Sequence, residues 1–456
     1  DGPEYARYNE FTRMMVDRQF NRVNEFLKSK RPDLCICTYT SSGVDVIRKE
    51  SNRPLGQGTY HDTDKVKQTL LTCGDRQLSN AAVHFIDYSH RHSAVSPQLT
   101  SRRLWQQMTG GAWLDFYCIG PLQRQEDRTG LDLVGEIFRL HRDNEHLFTK
   151  SIPAAQLGLI RRGGDEYQGI LEILCENQLP FELAELKPES LSAFKMVVIP
   201  DAAGLESDQA GIIDDYVRRG GRVLLTGGTP EGLECLGRPK LIETHKVDQG
   251  GYIRIRPEDK TIPPDPVLEK LDLVFLQGDL REYEVPQNIT KLLRFIPPDM
   301  FGPPEKCYYR TVSDIPGFIS AKFEKGVVGC FTFDIGRHYA QQAHEGHATL
   351  LTGAIRHSLD PRLEVKAHPL VEVSTRKAPD GSFEWVGLYN HSGERGIALH
   401  RPLPIRDIEI SLQTDRNLTT ARSAMTGQQL EIQKTDDGRL RVVLPELERY
   451  DIVVFE

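Results

Sequence analysis

Four apolar runs at near-regular spacing constrain this chain more than any other feature. LCICTYT, VDVIRKES, AAVHFIDYS and AWLDFYCIG follow one another through the first quarter of the sequence. Helical periodicity fills most of the gaps. HDTDKVKQTLLTCG reads as a helix with Asp62 or Thr63 near its N-cap. SPQLTSRRLWQQMTGG reads as a second, with Ser96 as N-cap, Pro97 at its first position and glycines at its end. Residues 130–149 read as a third. Strand and helix alternating on this spacing predict βα units and a parallel sheet. Ahead of the strands, Val16, Phe20, Val23 and Leu27 fall at helical spacing, and Phe11, Met15 and Phe26 widen the stripe. This predicts a helix with a core face. One helix followed by four strands matches the second half of a (β/α)8 barrel better than a complete open sheet. A half barrel alone would expose a sheet edge. The sequence opens on DGPEY with no initiator Met, signal peptide or leading strand, so the expectation is a processed chain or one that begins mid-fold.

Near Ser151 a second α/β unit begins. AQLGLI, FELAEL, FKMVVIP and RVLLTGG read as strands, with DEYQGILEILCENQ and SDQAGIIDDYVRRGG as helices, a flavodoxin-like alternation. Residues 240–315 read as irregular and Pro-rich. GFISAKFEKGVVGCFTFDIG then reads as a hairpin and HEGHATLLTGAIRHSL as a closing helix. From about Leu370 the period changes to two, in LVEVSTRK, FEWVGLYNHS, RDIEISLQ, RLRVVLP and YDIVVFE. APDGS, TDDG and MTGQ supply turns, and the pattern predicts a small antiparallel β-sandwich. The expected fold class is therefore α/β: a partial barrel over 1–150, an α/β unit over 151–365 and a sandwich over 366–456. Three units suit 456 residues.

Composition removes several functions. With 57 Lys and Arg against 65 Asp and Glu, the formal net charge is −8, which argues against general nucleic-acid affinity. No apolar stretch approaches the roughly 18 residues of a membrane-spanning helix, and the expected location is the cytoplasm. The eight cysteines are scattered, several inside apolar runs, and are expected as buried free thiols. Cys35 and Cys37 point to one face of a strand, but no second Cys or His pair at metal spacing accompanies them. No metal and no cofactor are expected.

A barrel carries its chemistry at the C-terminal ends of its strands. The four ends offer Thr38, Tyr39 and Thr40; then Arg48, Glu50, Ser51 and Asn52; then Asp87, Tyr88, His90, Arg91 and His92; then Tyr117, Gly120 and Pro121. Glu50 stands out as a carboxylate that Ser51, Asn52 and Arg53 are placed to hold. Glycoside hydrolysis needs two carboxylates, about 5–5.5 Å apart for retention or about 6.5–9.5 Å for inversion. Glu50 and Asp87 are the catalytic candidates. Tyr39, Asn52, Tyr88, His90, Arg91, His92 and Tyr117 are candidates for binding sugar hydroxyls. His84, inside a strand, reads as a satisfied core histidine. In the second unit, GG and GGTPEG read as tight turns, and no Cys or Ser sits at a nucleophile elbow. His344 and His347 lie one helical turn apart and read as a polar cluster at a helix N-terminus or an oligomer contact, ahead of metal ligands.

The order of these units resembles the family 42 β-galactosidases and related glycosyl hydrolases. The resemblance rests on YNEFTRMMVDRQFNRVNEFLKSKRPDLCICTY, VDVIRKESN and VHFIDYSHRHSAVSPQLTSRRLWQQMTGGAWLDFYCIG, similar to the later barrel strands of that family. LPFELAEL, LSAFKMVVIPDAAGLESDQAGIIDDYVRRGGRVLLTGG and GVVGCFTFDIGRHYAQQAHEGHATLLTGAIRH are similar to its glutamine-amidotransferase-like trimerisation domain, and RDIEISLQ with LRVVLPELERYDIVVF to its terminal sandwich. The resemblance implies a retaining glycosidase with paired carboxylates, a carbohydrate substrate, and a homo-oligomer, dimer or trimer, formed through a non-catalytic middle domain. It places the acid/base after the fourth barrel strand, ahead of this sequence. It places the nucleophile after the seventh, where this chain has Asp87 within IDYSHRH and no Glu; Glu50 follows the sixth. A relative acting on another glycoside, such as an acidic one engaged by Arg91, fits as well. The alternative is a non-catalytic carbohydrate-binding or oligomerisation protein on the same scaffold.

Overall fold

The computed structural model describes every residue except 1, 53–57, 75, 262–269, 300–301 and 304–307. Arg53 and Cys307 therefore lie outside the described residues. The N-terminal region is a four-stranded parallel sheet in sequential order. Its strands are β1 (Cys37–Thr38), β2 (Val46–Ser51), β3 (Gln77–Val83) and β4 (Trp113–Tyr117). Helix α1 (Pro3–Lys30) precedes it, and α2 (His61–Cys73), α3 (Pro97–Gly110) and α4 (Leu131–Asp143) follow β2, β3 and β4. A short α5 (Glu145–Thr149) completes the region after a break at Asn144.

Alternation along the strands sorts the side chains. Ile47 and Leu78 face the helices and pack with Val66 and Ala112. Arg48, Glu50, Ser79, Asp115 and Tyr117 occupy alternate positions, on the opposite face. Helix α3 is buried along nearly its whole length, Arg102, Arg103, Gln106 and Gln107 included. It is covered on two sides, because Trp105 also stacks on Tyr450 of the C-terminal region at 5.0 Å. Gly111 closes it in the left-handed conformation (φ +103°), whereas the Ser96 hydroxyl makes no cap bond and donates to Leu399 O at 3.3 Å.

The expected core face of α1 is corrected. Phe11, Met15, Val16, Val23 and Phe26 are all exposed, and Phe20 and Leu27 are only half-buried. Strand β1 spans two residues and has no neighbour on its outer side among the described residues. Thus α1 leans on the 42–45 loop, where Asn24 donates to Gly43 O at 3.1 Å and Lys28 pairs with Asp45 at 3.0 Å. Cys35 and Cys37 are exposed for the same reason; Cys73, Cys175, Cys235 and Cys330 are buried as expected.

The middle region is a nine-stranded mixed sheet. After a two-residue β5 (Ile152–Pro153), its strands are β6 (Leu157–Ile160), β7 (Phe181–Ala184), β8 (Met196–Ile199), β9 (Arg222–Leu225), β10 (Lys240–Arg254), β11 (Leu273–Glu284), β12 (Thr290–Ile296), β13 (Pro316–Phe323) and β14 (Gly326–Phe331). The order β7-β6-β8-β9-β14 is parallel, and β13, β12, β10 and β11 continue it antiparallel. Helices α6 (Gly164–Glu176), α7 (Pro188–Leu191), α8 (Ser207–Arg218), α9 (Ile335–Gln342) and α10 (Glu345–Ser358) pack around it. The irregular reading of 240–315 is thereby corrected. Strands β10 and β11 form a long ribbon, but the register slips between Val247 and Gly251, and Leu241 and Ile242 are exposed. A bulge inverts the in–out pattern, so no clean period of two survives in the sequence.

The C-terminal region is β-rich: β15 (Leu363–Lys366), β16 (Val371–Lys377), β17 (Glu384–Asn390), β18 (Glu394–Arg395), β19 (Ala398–Leu399), β20 (Ile405–Leu412), β21 (Ala421–Ser423), β22 (Gln429–Leu430), β23 (Gln433–Lys434), β24 (Leu440–Leu447) and β25 (Tyr450–Phe455). Two antiparallel sheets, β15-β20-β24-β23 and β22-β21-β25-β17-β16-β5, enclose Val371, Leu388, Ile410, Val442 and Val453.

Candidate active site

The sheet face away from α2 and α3 carries a connected polar cluster. Tyr39, just past β1, donates its phenol to Glu50 Oε1 on β2. Arg48, two residues before Glu50 and so on the same face, donates to the Tyr39 hydroxyl at 3.2 Å. The same guanidinium grips Asp115 of β4 with two bonds, Nε at 2.7 Å and Nη2 at 3.2 Å. Ser79 of β3 adds a third donor to Asp115 at 3.0 Å. Arg48 is flanked by two aromatic rings, 5.6 Å from the centre of Tyr39 and 5.5 Å from that of Tyr117, which is cation–π range. Burial, then the hydrogen bond to Glu50, push the Tyr39 phenol up to about 12, so it stays protonated and remains a donor.

The two carboxylates of this face play different parts. Asp115 accepts three hydrogen bonds from Arg48 and Ser79, so most of its roughly four acceptor sites are occupied and its charge is paired with Arg48. Glu50 is held at one oxygen by Tyr39, and among the described residues its other oxygen meets only Asn52 Nδ2, at 3.5 Å. Glu50 is therefore fixed in place with acceptor capacity to spare, as a nucleophile or base requires. Its strand end is secured from behind. Lys65 of α2 donates to the Glu50 carbonyl, and Ser51, on the helix-facing side, donates to Asp62 and receives Asn80 Nδ2 at 3.1 Å. Ser51 thus anchors β2 to α2, and the sequence-based role of holding the Glu50 carboxylate is corrected.

The DYSHRH segment forms a loop that the Phe85–Ala94 bridge closes. Asp87 Oδ1 accepts the Ser89 and His90 backbone N–H groups at 2.8 Å each and lies 2.9 Å from His90 Nδ1. These bonds, the His90 backbone N–H first, hold the Asp87 carboxyl below its usual range. Asp87 and His90 are thereby engaged within their own turn, and Arg91 and His92 are exposed at its tip. Tyr88 connects to the cluster through Phe85, whose ring lies 5.6 Å from Tyr88 and 5.7 Å from Tyr117. The structure thus groups Tyr39, Glu50, Asn52 and Tyr117, adjoins Tyr88, and leaves Asp87, His90, Arg91 and His92 on a neighbouring loop. His84 is buried, with Nε2 3.0 Å from Asp127 O and an edge contact to Phe116: a satisfied core histidine.

Sequence reasoning missed Asp115 and Ser79. The signal was present in AWLDFYCIG, where a lone acid two residues before Tyr117 must share its face. In the middle region, His344 caps α10 by accepting Gly346 N at 3.1 Å, and His347 is buried with Nε2 2.9 Å from Phe275 O, the polar helix start that was expected. Among the described residues, Glu243, His245 and Glu282 on the β10–β11 ribbon have metal-ligand spacing, with His245 Nε2 2.8 Å from Glu282.

No family model matches this sequence, and no curated protein matches it. Solved structures do. Alpha-L-fucosidase isoenzyme 2 from Paenibacillus thiaminolyticus superposes with a TM-score of 0.78 at 16% identity, covering 97% of this chain and 71% of its own. A beta-galactosidase from Bacillus circulans sp. alkalophilus gives 0.63 at 14% identity, over 98% and 67%. A GH42 beta-galactosidase from G. stearothermophilus gives 0.60 at 14%, over 97% and 67%. At these identities the likeness is one of fold, and it runs through all three regions.

Proposed function

We propose that this chain is a glycoside hydrolase whose first sheet is the C-terminal half of a (β/α)8 barrel and whose catalytic carboxylate is Glu50. The observation that carries the reading is the pairing of an oriented Glu50 with a neighbouring carboxylate, Asp115, that is already neutralised. In such a site Glu50 attacks the anomeric carbon or activates water, and a second acid protonates the departing oxygen. Tyr39, Asn52, Tyr88 and Tyr117 surround the sugar. His90, Arg91 and His92 lie on the loop toward the leaving group. Asp87 is the candidate second carboxylate from this chain; for that role its turn must release it. The solved neighbours carry the names of a fucosidase and β-galactosidases, so an aryl α-L-fucoside and an aryl β-D-galactoside are the first substrates to test. Self-association through the middle region belongs to the same reading and is checked by light scattering.

The test is turnover of these aryl glycosides by the full protein and by Glu50→Gln and Asp87→Asn. Loss of one positioned acid or base is expected to lower kcat about 10²–10⁴-fold. For Glu50→Ala, recovery of turnover in sodium azide with a glycosyl azide product identifies a nucleophile. Undiminished turnover in Glu50→Gln would remove Glu50 from the mechanism, and no turnover of any glycoside by the parent protein would favour a carbohydrate-binding protein on this scaffold.

A further inference from the structure

We propose a second carbohydrate-binding site in the middle region, outside the carboxyl ends of β8 and β9. A cleft of about 790 Å³ opens there, and none of its walls comes from β1–β4. At the carboxyl ends of parallel strands, loops and backbone groups are free to converge on a ligand.

The walls of the cleft are built at a cost. Asp201, two residues past β8, and Arg238 adopt left-handed backbone conformations, φ +48° and +56°, which residues other than glycine adopt rarely. Gly228, after β9, has φ +99°, and a Cβ there would lie 2.4 Å from the Tyr283 hydroxyl and 2.7 Å from Arg281 Cδ. The glycine lets Tyr283 and Arg281 lie against the chain, where both face the cleft.

The polar groups so placed are only partly used. The Tyr283 hydroxyl accepts the Thr229 N–H at 3.1 Å, which leaves its own proton to donate. Arg281 gives Nη1 to Asp334 at 3.1 Å, and its other guanidinium N–H groups have no hydrogen-bond partner among the described residues. The Asp201 carboxylate accepts no hydrogen bond from the described residues. The cleft thus offers one phenol donor, free guanidinium donors and a free carboxylate acceptor, with a tyrosine ring beside them. The lining carries charges of both signs: with Arg281 held by Asp334, the acids Asp201 and Glu231 are matched by the bases Arg238 and Lys240. A phosphate would meet the acids; a neutral polyol uses donors and acceptors alike, so the matching ligand is an uncharged oligosaccharide. As an accessory site for substrate, this proposal rests on the glycosidase reading.

The experiment is calorimetric titration of the full-length Glu50→Gln protein with lactose and 2′-fucosyllactose, and with inorganic phosphate as the anion probe. Tyr283→Phe, Asp201→Asn and Arg238→Ala are added singly to that background, and the unfolding temperature of each is recorded. The expected result is saturable binding of at least one sugar, weakened about tenfold or more by each substitution at the cleft, with aryl-glycoside turnover within twofold of the parent when the same changes are made without Glu50→Gln. Arg238 is exposed, so its variant reports on binding even where a buried change unfolds the chain. Failure of both sugars to bind, binding that all three variants retain, or binding of phosphate in place of sugar would overturn the proposal. Sugar binding at the cleft without turnover of any glycoside would leave this site standing and remove the hydrolase reading.

Discussion

Glu166 sits at the start of α6, and no cation pairs with it among the described residues. It is fully enclosed; Thr226 donates its hydroxyl to Oε1, and the Arg337 backbone N–H reaches Oε2 at 2.7 Å. Burial raises its carboxyl from 4.5 to about 7, against the lowering effect of those hydrogen bonds. An acid whose folded value is raised binds its proton more tightly in the folded state. Stability is therefore lost as pH rises from about 4.5 through 7. At 1.36 kcal/mol per pH unit the loss is about 3 kcal/mol for this one group. Glu166→Gln is the matching perturbation. A glutamine keeps an oxygen for the Arg337 N–H, and the Thr226 hydroxyl can turn to accept from the new amide. Urea unfolding of parent and variant at pH 5 and pH 8, followed by hydrogen exchange of the α6 amides, isolates the effect, because all other titrations cancel in the difference. Since part of the loss falls below pH 5, the variant should gain about 2.5 kcal/mol relative to the parent between pH 5 and pH 8. A difference that does not change with pH would refute the reasoning, and a change of opposite sign would mean the group is ionised when folded.

Two further outcomes follow from packing and charge. His391 is buried between Glu372, 2.9 Å from Nε2, and Glu394, 2.7 Å from Nδ1, and although burial alone lowers it, these two carboxylates raise it above the usual histidine range. Its contribution is present in full below about pH 6.5 and is lost as pH rises through the raised folded value; His391→Phe, which leaves the buried Glu372 with only the neutral donors Thr63 and Gln106 among the described residues while Glu394 keeps Arg102, should cost about 3–5 kcal/mol, read as a fall in the unfolding temperature at pH 6. Helices α6 and α9 touch through Gly169 and Gly336, and a Cβ at 169 would sit 1.8 Å from Gly336 O, so Gly169→Ala should separate the helices and abolish cooperative unfolding of the middle region, whereas Gly211→Ala on α8, with open space around it, should leave the melt unchanged.

What the sequence made legible was what local periodicity encodes. The four first-region strands, α3 between Pro97 and Gly111, the β13–β14 hairpin and the period-two C-terminal strands each carry their pattern within ten or fifteen residues. Glu50 at a strand end was visible in the same way. Three things were not. Strands β10 and β11 lost their alternation to a bulge. The apolar stripe of α1 implies a partner surface, which the described residues do not supply. Asp115 became part of the site through Arg48, 67 residues away, and a contact between non-adjacent strands leaves no mark on either segment alone.

The same non-local logic explains why α2 begins where it does. Successive helical residues point about 100° apart, so one turn can address every direction around its axis. The first turn of α2 does so. Asp62 accepts from Ser51, and Lys65 donates to the Glu50 carbonyl, both on β2. Thr63 donates to Glu372 at 2.5 Å, beside His391 in the C-terminal region. Asp64 accepts from Tyr167 and, at 3.2 Å, from Arg161 of the middle region. Four consecutive residues thus tie the strand that carries Glu50 to both other regions. None of the four is apolar, and amphipathic scoring reads them only as an N-terminal polar turn. Their common position supplies a physical reason for the three regions to stay together: the orientation of Glu50 depends on a helix whose start is anchored by the other two.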